Sequence, residues 1–270
     1  MAGAAVGTTE RTPLALGAPV APDPLPAGWY RADELFRDDD LLRAAISAYG
    51  EALGAPSRQV ASALAFKAYS YEVLEPVVTA WVTRSRVPDM SAALTAIHLG
   101  PTSYELAVTA ERGSVLSDDP LAGAPGLIVV PNEEALLDAM RRTLIEGHLL
   151  PAVEAFRRIR GGGARPLWGS VAQSLCYPAG VAEPDVVPDP RAAVQRLLSV
   201  LDPSVAGLVE LTELHDGERW RPALLRKTCC YYYALPTGDL CSTCCLMSDE
   251  ERDRRGAEAG LRWRRPSVSR

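Results

Sequence analysis

Apolar positions recur at helical spacing over most of the chain. From Asp33 to Leu53, Leu35, Leu42, Ile46 and Tyr49 share one face, and the acidic triplet Asp38 to Asp40 falls on solvated surface. Gly54-Ala55-Pro56 ends that helix. Ser57 is placed to cap a second, running to about Val82, with Val60, Leu64, Tyr71, Leu74 and Val78 on its apolar side. Pro76 lies inside this stretch and predicts a kink or a split, because proline lacks the backbone donor. Tyr69, Tyr71 and Trp81 stand at helical spacing, which reads as core more readily than as a pocket.

Between Ala96 and Val130 the period shortens. Tyr104 to Thr109 alternates as a strand does, and Gly126 to Val130 is a short apolar run bounded by proline. Asn132 then caps a long helical stretch through Leu136, Leu137, Met140 and Leu144 to Val153 and Phe156, with Pro151 dividing it. Gly161-Gly162-Gly163 interrupts the next segment, since three glycines do not stay helical cheaply. Four arginines, Arg157, Arg158, Arg160 and Arg165, surround that loop. It lacks the Gly-Lys-Ser/Thr of a phosphate loop. The arginines read either as a helix end that complements the macrodipole or as a cationic rim for an anionic ligand. Leu167 to Cys176 and Arg191 to Leu201 read as helices on either side of a proline-rich linker. Leu208 to Leu214 and Arg219 to Leu225 read as a hairpin turning at Asp216-Gly217.

These elements predict an α+β fold: a mainly helical domain with a few short antiparallel strands and a small C-terminal cysteine-rich lobe. The expected division is a flexible tail over 1–28, the helical domain over 29–205, the cysteine-rich region over 206–250 and a charged tail over 251–270. Met1 to Pro26 has no basic start and no compact apolar core, so a secretory signal is not expected there. At 270 residues, 47% of them hydrophobic, the chain has room for a sizeable core. A net charge of −6 disfavours general binding to nucleic acid or to an anionic membrane. No run approaches the ~20 apolar residues of a membrane span.

The chemistry concentrates near the end. Five of the six cysteines, Cys229, Cys230, Cys241, Cys244 and Cys245, fall within seventeen residues, spaced C-C-x10-C-x2-C with one further Cys behind. Thiols this dense call for a metal, a disulfide or a redox role. Only Cys241 and Cys244 have the spacing of a zinc-chelating turn. Adjacent residues of a regular strand point to opposite faces, so Cys229 and Cys230 can serve one centre only if the backbone turns sharply there. A cluster with two irons offers better separated attachment points than one zinc ion. A zinc knuckle and a disulfide framework stay open at this level. Clustered free thiols and the absence of an export signal suggest the cytoplasm. Cys176, alone on an apolar helix, reads as core. His98, His148 and His215 are widely spaced and read as structural.

The run Arg226-Lys227-Thr228-Cys229-Cys230-Tyr231-Tyr232, closed by Cys241-Ser242-Thr243-Cys244, resembles the C-terminal signature of the FhuF-like ferric siderophore reductases. Leu167-Trp168-Gly169-Ser170-Val171-Ala172 is similar to that family's W-G-N-x-A element, with Ser170 in the place of Asn. His148-Leu149-Leu150-Pro151 also resembles a family feature. The similarity covers about residues 30–250. It implies a 2Fe–2S cluster on Cys229, Cys230, Cys241 and Cys244, and a one-electron reduction of a ferric siderophore that releases Fe(II). The family usually has Pro after the last ligand, where this chain has Cys245, so Cys244 and Cys245 both stand as candidates for the fourth ligand. Thr228, Ser242 and Thr243 are placed to hydrogen-bond the sulfurs.

An electron donor such as a ferredoxin or a flavoprotein is implied as a partner. For the ferric siderophore itself, Arg157, Arg158, Arg165, Trp168, Arg226 and Lys227 are the candidate contacts, because arginine offers planar multi-donor contacts to anionic oxygens. They are expected to line a cleft facing the cysteines. A related domain occurs in some siderophore synthetases, so a non-catalytic siderophore-binding or iron-chaperone protein is the alternative. A zinc-stabilised interaction module is another.

Overall fold

The structure, a computed structural model, describes residues 20–264. Strand β1 (Trp29–Arg31) runs into a single helical turn, α1 (Ala32–Leu35). The helix expected over Asp33 to Leu53 breaks at residues 36–38 and resumes as α2 (Asp39–Leu53). Asp38 is the cause: its carboxylate accepts the backbone N–H of Asp40 and of Leu41 at 3.1 and 2.9 Å, which starts a new helix. One member of the acidic triplet is therefore a cap. Helix α3 (Arg58–Arg84) begins at Ser57, whose Oγ accepts the Val60 N–H at 3.3 Å. Pro76 lies inside α3 without ending it.

Strands β2 (Arg86–Pro88), β3 (Thr95–Leu99), β4 (Tyr104–Val108), β5 (Gly113–Leu116) and β6 (Leu127–Val130) follow. One sheet has the order β1-β3-β4 and is antiparallel. A second has the order β2-β5-β6, with β5 and β6 parallel. Helix α4 (Glu133–Met140) is capped by Asn132, which accepts the Ala135 N–H at 3.0 Å. It continues through a π-helical stretch, Arg141–Leu149, into α5 (Leu150–Arg160). Pro151 stands at the junction of the π-helical stretch and α5 and, contrary to the sequence expectation, does not divide the helical run.

Helices α6 (Arg165–Val181), α7 (Pro190–Ser199) and α8 (Pro203–Ala206) lead to the hairpin of β7 (Val209–His215) and β8 (Trp220–Arg226). Asp216 shapes its turn by accepting the N–H of Glu218 and Arg219 at 3.1 and 3.0 Å. Helix α9 (Asp249–Glu258) and strand β9 (Arg262–Arg264) close the described chain, and β9 pairs antiparallel with β7. The fold is α+β and largely helical, as the sequence predicts; among the described residues its short strands form three sheets, and the parallel β5–β6 pair departs from the antiparallel pairing expected.

Helix α3 is the axis of the core. Phe66, Val73, Leu74, Val77 and Val78 are fully buried along it. Phe66 meets Phe156 of α5 edge to face at 5.1 Å, and Tyr69 lies among Phe36, Tyr104 and Phe156. His148 completes this cluster. Its Nδ1 hydrogen-bonds the Met90 carbonyl and its Nε2 the Tyr69 hydroxyl. Burial pulls its pKa down to about 4, so it is a neutral core residue at pH 7. Cys176 is buried as well, and burial pushes its thiol up.

Of the tail expected over 1–28, residues 1–19 lie outside the described residues. Residues 20 and 21 are tied down: Val20 bridges Val108, and Ala21 is buried against Ala96 and Ala107. Of the charged tail expected over 251–270, residues 265–270 lie outside the described residues. The rest belongs to α9 and β9. Ser248 accepts the Glu251 N–H at 3.2 Å to start that helix, and the Trp263 ring stands over Gly256. Among the described residues no helix is long and apolar enough to cross a membrane.

Candidate metal centre

The cysteine lobe is seated on α6. At the end of β8 the Arg226 N–H bonds the Thr243 carbonyl at 3.0 Å, and the Lys227 N–H bonds that of Leu208 at 2.8 Å. The next residue, Thr228, lies directly on Gly169. A Cβ at Gly169 would stand 1.9 Å from Thr228 Oγ1, so this approach requires glycine. The Arg226 guanidinium is buried beside it. It donates to Ser170 Oγ at 3.1 Å and to the Thr228 carbonyl at 3.2 Å. Gly169 and Ser170 thus hold the strand that delivers Cys229. Trp168 faces a separate cavity of about 360 Å³, which Arg141, Leu150 and Asp202 also line.

The backbone then turns as the adjacent cysteine pair demands. Tyr231 takes a left-handed conformation, φ +65°, rare for a residue with a side chain. Arg160 braces it, donating to the Tyr231 hydroxyl at 3.2 Å with its guanidinium 5.6 Å from the ring centre. The turn aims main-chain donors at sulfur. Cys229 Sγ accepts the Tyr231 N–H at 3.3 Å, and the Tyr232 N–H helps to lower the Cys230 thiol. Cys244 Sγ repeats the pattern with the Leu246 N–H at 3.4 Å. Two sulfurs, those of Cys229 and Cys244, therefore each receive the amide two residues on. The expected help from Thr228 does not come from its hydroxyl, because Thr228 Oγ1 is buried without a partner.

The second half of the lobe is organised by Arg252 of α9, which is 5% exposed. Its guanidinium donates to the carbonyls of Ser242, Cys244 and Met247 at 3.3, 2.9 and 3.2 Å. A charged side chain from the expected tail is thus the clamp on the Cys241 to Met247 loop. The readable signal was Ser248 followed three residues on by Glu251, a helix-start pattern.

The thiols sense one another. The Cys241 contact holds the Cys230 thiol down, to about 5, helped by the Lys67 ammonium, the Tyr232 N–H and Arg226. The same contact raises Cys241. Burial pushes Cys229 up to about 11, and Cys230, Cys244 and Cys245 add to this. Cys244 is buried, whereas Cys245 is exposed. All six cysteines are free thiols. Among the described residues no group of three or more His, Cys, Asp or Glu side chains closes on one point as the ligands of a single ion would. The donor set is soft sulfur, gathered in one lobe and supplied with N–H groups. That chemistry fits an iron–sulfur group, whose stability and potential depend on hydrogen bonds to sulfur.

The other candidate residues are dispersed. Arg157 binds Glu154 at 2.7 Å. Arg158 donates to the Phe36 carbonyl and to Asp39, at 2.8 and 2.9 Å, which ties α5 to α2. Arg165 and Lys227 are exposed. Among the described residues, Arg160 is the arginine beside the glycine loop that hydrogen-bonds the lobe, through the Tyr231 hydroxyl. His98 stacks on Trp29, and His215 accepts the Gly217 N–H at 3.1 Å.

A cavity of about 520 Å³ lies between α2, α3, α6 and the lobe. Cys241 and Arg226 belong to its wall, together with Lys67, Tyr71 and Tyr177. No sequence pattern marks it, because its walls come from four distant segments.

A lobe of clustered free thiols with amide donors at sulfur defines a site for a thiophilic metal group. The comparison with known families agrees: residues 226–246 match the model of the FhuF 2Fe-2S C-terminal domain. The chain thus carries the C-terminal 2Fe–2S motif of FhuF-like proteins. The match spans the cysteine lobe and stops short of α9. No curated protein matched the chain.

Proposed function

We propose that this protein is a ferric siderophore reductase. The observation that supports it is the set of N–H-supplied sulfurs within the matched lobe. Cys229, Cys230, Cys241 and Cys244 would hold the cluster. Cys244 is preferred to Cys245 because it is buried and its sulfur accepts an amide. When bound, the 2Fe–2S group supplies a reversible one-electron store. Lys67 and Arg226 place positive charge beside Cys230, which favours the extra electron. Gly169, Ser170 and Arg252 fix the loops that carry the sulfurs. The substrate is Fe(III) in a siderophore of hard oxygen donors. One electron lowers the charge on iron and weakens those contacts, so Fe(II) leaves for softer ligands. A ferredoxin or flavoprotein would return the electron, and the cytoplasm would be the compartment.

The test is anaerobic. Protein reduced by dithionite and freed of excess reductant is mixed with a ferric siderophore and a coloured Fe(II) chelator. One Fe(II) should appear per reduced cluster as the visible spectrum returns to its oxidised form. A reduced spectrum that persists beside an unreduced ferric complex would contradict the reading.

A further inference from the structure

The 520 Å³ cavity has the features of a ligand site. Its rim carries Tyr71 and Tyr177, 37% and 47% exposed, packed edge to face at 6.0 Å. Aromatic side chains left half in water at the mouth of a concave site are what an apolar-faced ligand would cover. Deeper in stands Lys67, its ammonium 5.9 Å from the centre of the Tyr232 ring. Among the described residues no carboxylate lies within ion-pair reach of Lys67. Gln173, on the same wall, has a buried Oε1 with no partner. A buried acceptor without a donor is costly, and a ligand N–H or O–H would remove that cost. Cys241 forms part of the wall, so anything seated here touches the cysteine lobe.

We infer that this cleft, between α2, α3, α6 and Cys241, is the binding site of the ferric chelate. This rests on the reductase reading above. Tyr71 and Tyr177 cover the apolar periphery of the chelate. Lys67 faces its oxygen-rich centre, and the Gln173 carbonyl takes a donor from its backbone. In the reaction, Fe(III) would gain one electron and become Fe(II), the electron coming from the one-electron store that Cys229, Cys230, Cys241 and Cys244 would hold. A one-electron carrier restores it, and no bond of the chelator need break. None of the arginines around Gly161 to Gly163 lines this cleft, and Arg157 and Arg158 are engaged elsewhere.

The test separates binding from reduction by using gallium(III), which has the size and charge of Fe(III) but is not reduced. Gallium complexes of desferrioxamine B and of enterobactin are titrated calorimetrically into the anaerobically purified protein. At least one should bind. Tyr71→Ala with Tyr177→Ala, and separately Ala68→Trp, which fills the cleft, should each weaken binding at least tenfold. The visible cluster spectrum should stay unchanged. Wild-type affinity in both variants, or no binding of either complex to the wild-type protein, overturns the cleft. A protein that binds gallium complexes in the cleft yet shows no 2Fe–2S spectrum keeps the cleft and loses the reductase.

Discussion

The helical body and the cysteine lobe are built by different means. The body buries large apolar side chains on all sides of α3, and its one buried histidine is neutral and paired on both ring nitrogens. The lobe buries few apolar residues. It is held by polar devices: a left-handed Tyr231, two buried guanidinium groups and amides turned toward sulfur. A region of this kind cannot rely on the hydrophobic effect for its order. The body is a scaffold on which the cysteine lobe is seated through Gly169, Ser170 and Arg226.

The sharpest break in this comparison is Cys230→Ser. It removes the sulfur that meets Cys241, so the visible cluster absorption should vanish. Far-UV circular dichroism should stay close to wild type, because the helices lie in the body. Collapse of the helical signal along with the cluster would show that the two regions fold as one unit.

The next effect belongs to the body and appears with acid. His148 has a folded pKa near 4, below its unfolded value of about 6.5, so the unfolded chain binds the extra proton. Its contribution to stability is present above pH ~6.5 and is lost as pH falls toward 4, at up to about 1.4 kcal/mol per pH unit. Urea unfolding followed by far-UV signal at several pH values should show this slope. His148→Gln should flatten it. Equal slopes in the two proteins would mean that His148 is not the neutral core group described.

A smaller effect is expected at the seam. Gly169→Ala places a methyl group where Thr228 now lies, and overpacking of this kind costs about 1–3 kcal/mol. The lobe should loosen before the body does. The variant should therefore lose its visible spectrum at a lower urea concentration than its helical signal, with a wider gap than in wild type.

Much of the body was legible in the chain because its signals are local. Ser57 and Asn132 cap where the sequence places them, and the Asp216-Gly217 turn joins the expected strands. The break at Asp38 was missed because an acidic run looks like surface charge until one carboxylate is seen capping. Strands β3 and β5 gave little signal: one contains His98 and Thr95, the other small residues beginning at Gly113. The cysteine spacing was informative, including the sharp turn it requires after Cys230. The cleft was not legible, since Lys67, Gln173 and Cys241 meet only through the packing of α3, α6 and the lobe. Arg252 hid in a stretch whose composition reads as a tail.

The central claim is that the lobe holds a 2Fe–2S cluster, and metal analysis of anaerobically purified protein tests it most directly. The account predicts two irons and two acid-labile sulfides per chain, as a 2Fe–2S group requires, with visible absorption that dithionite bleaches. Both should be absent from Cys230→Ser. Stoichiometric zinc in a colourless protein made under iron-replete conditions would contradict it.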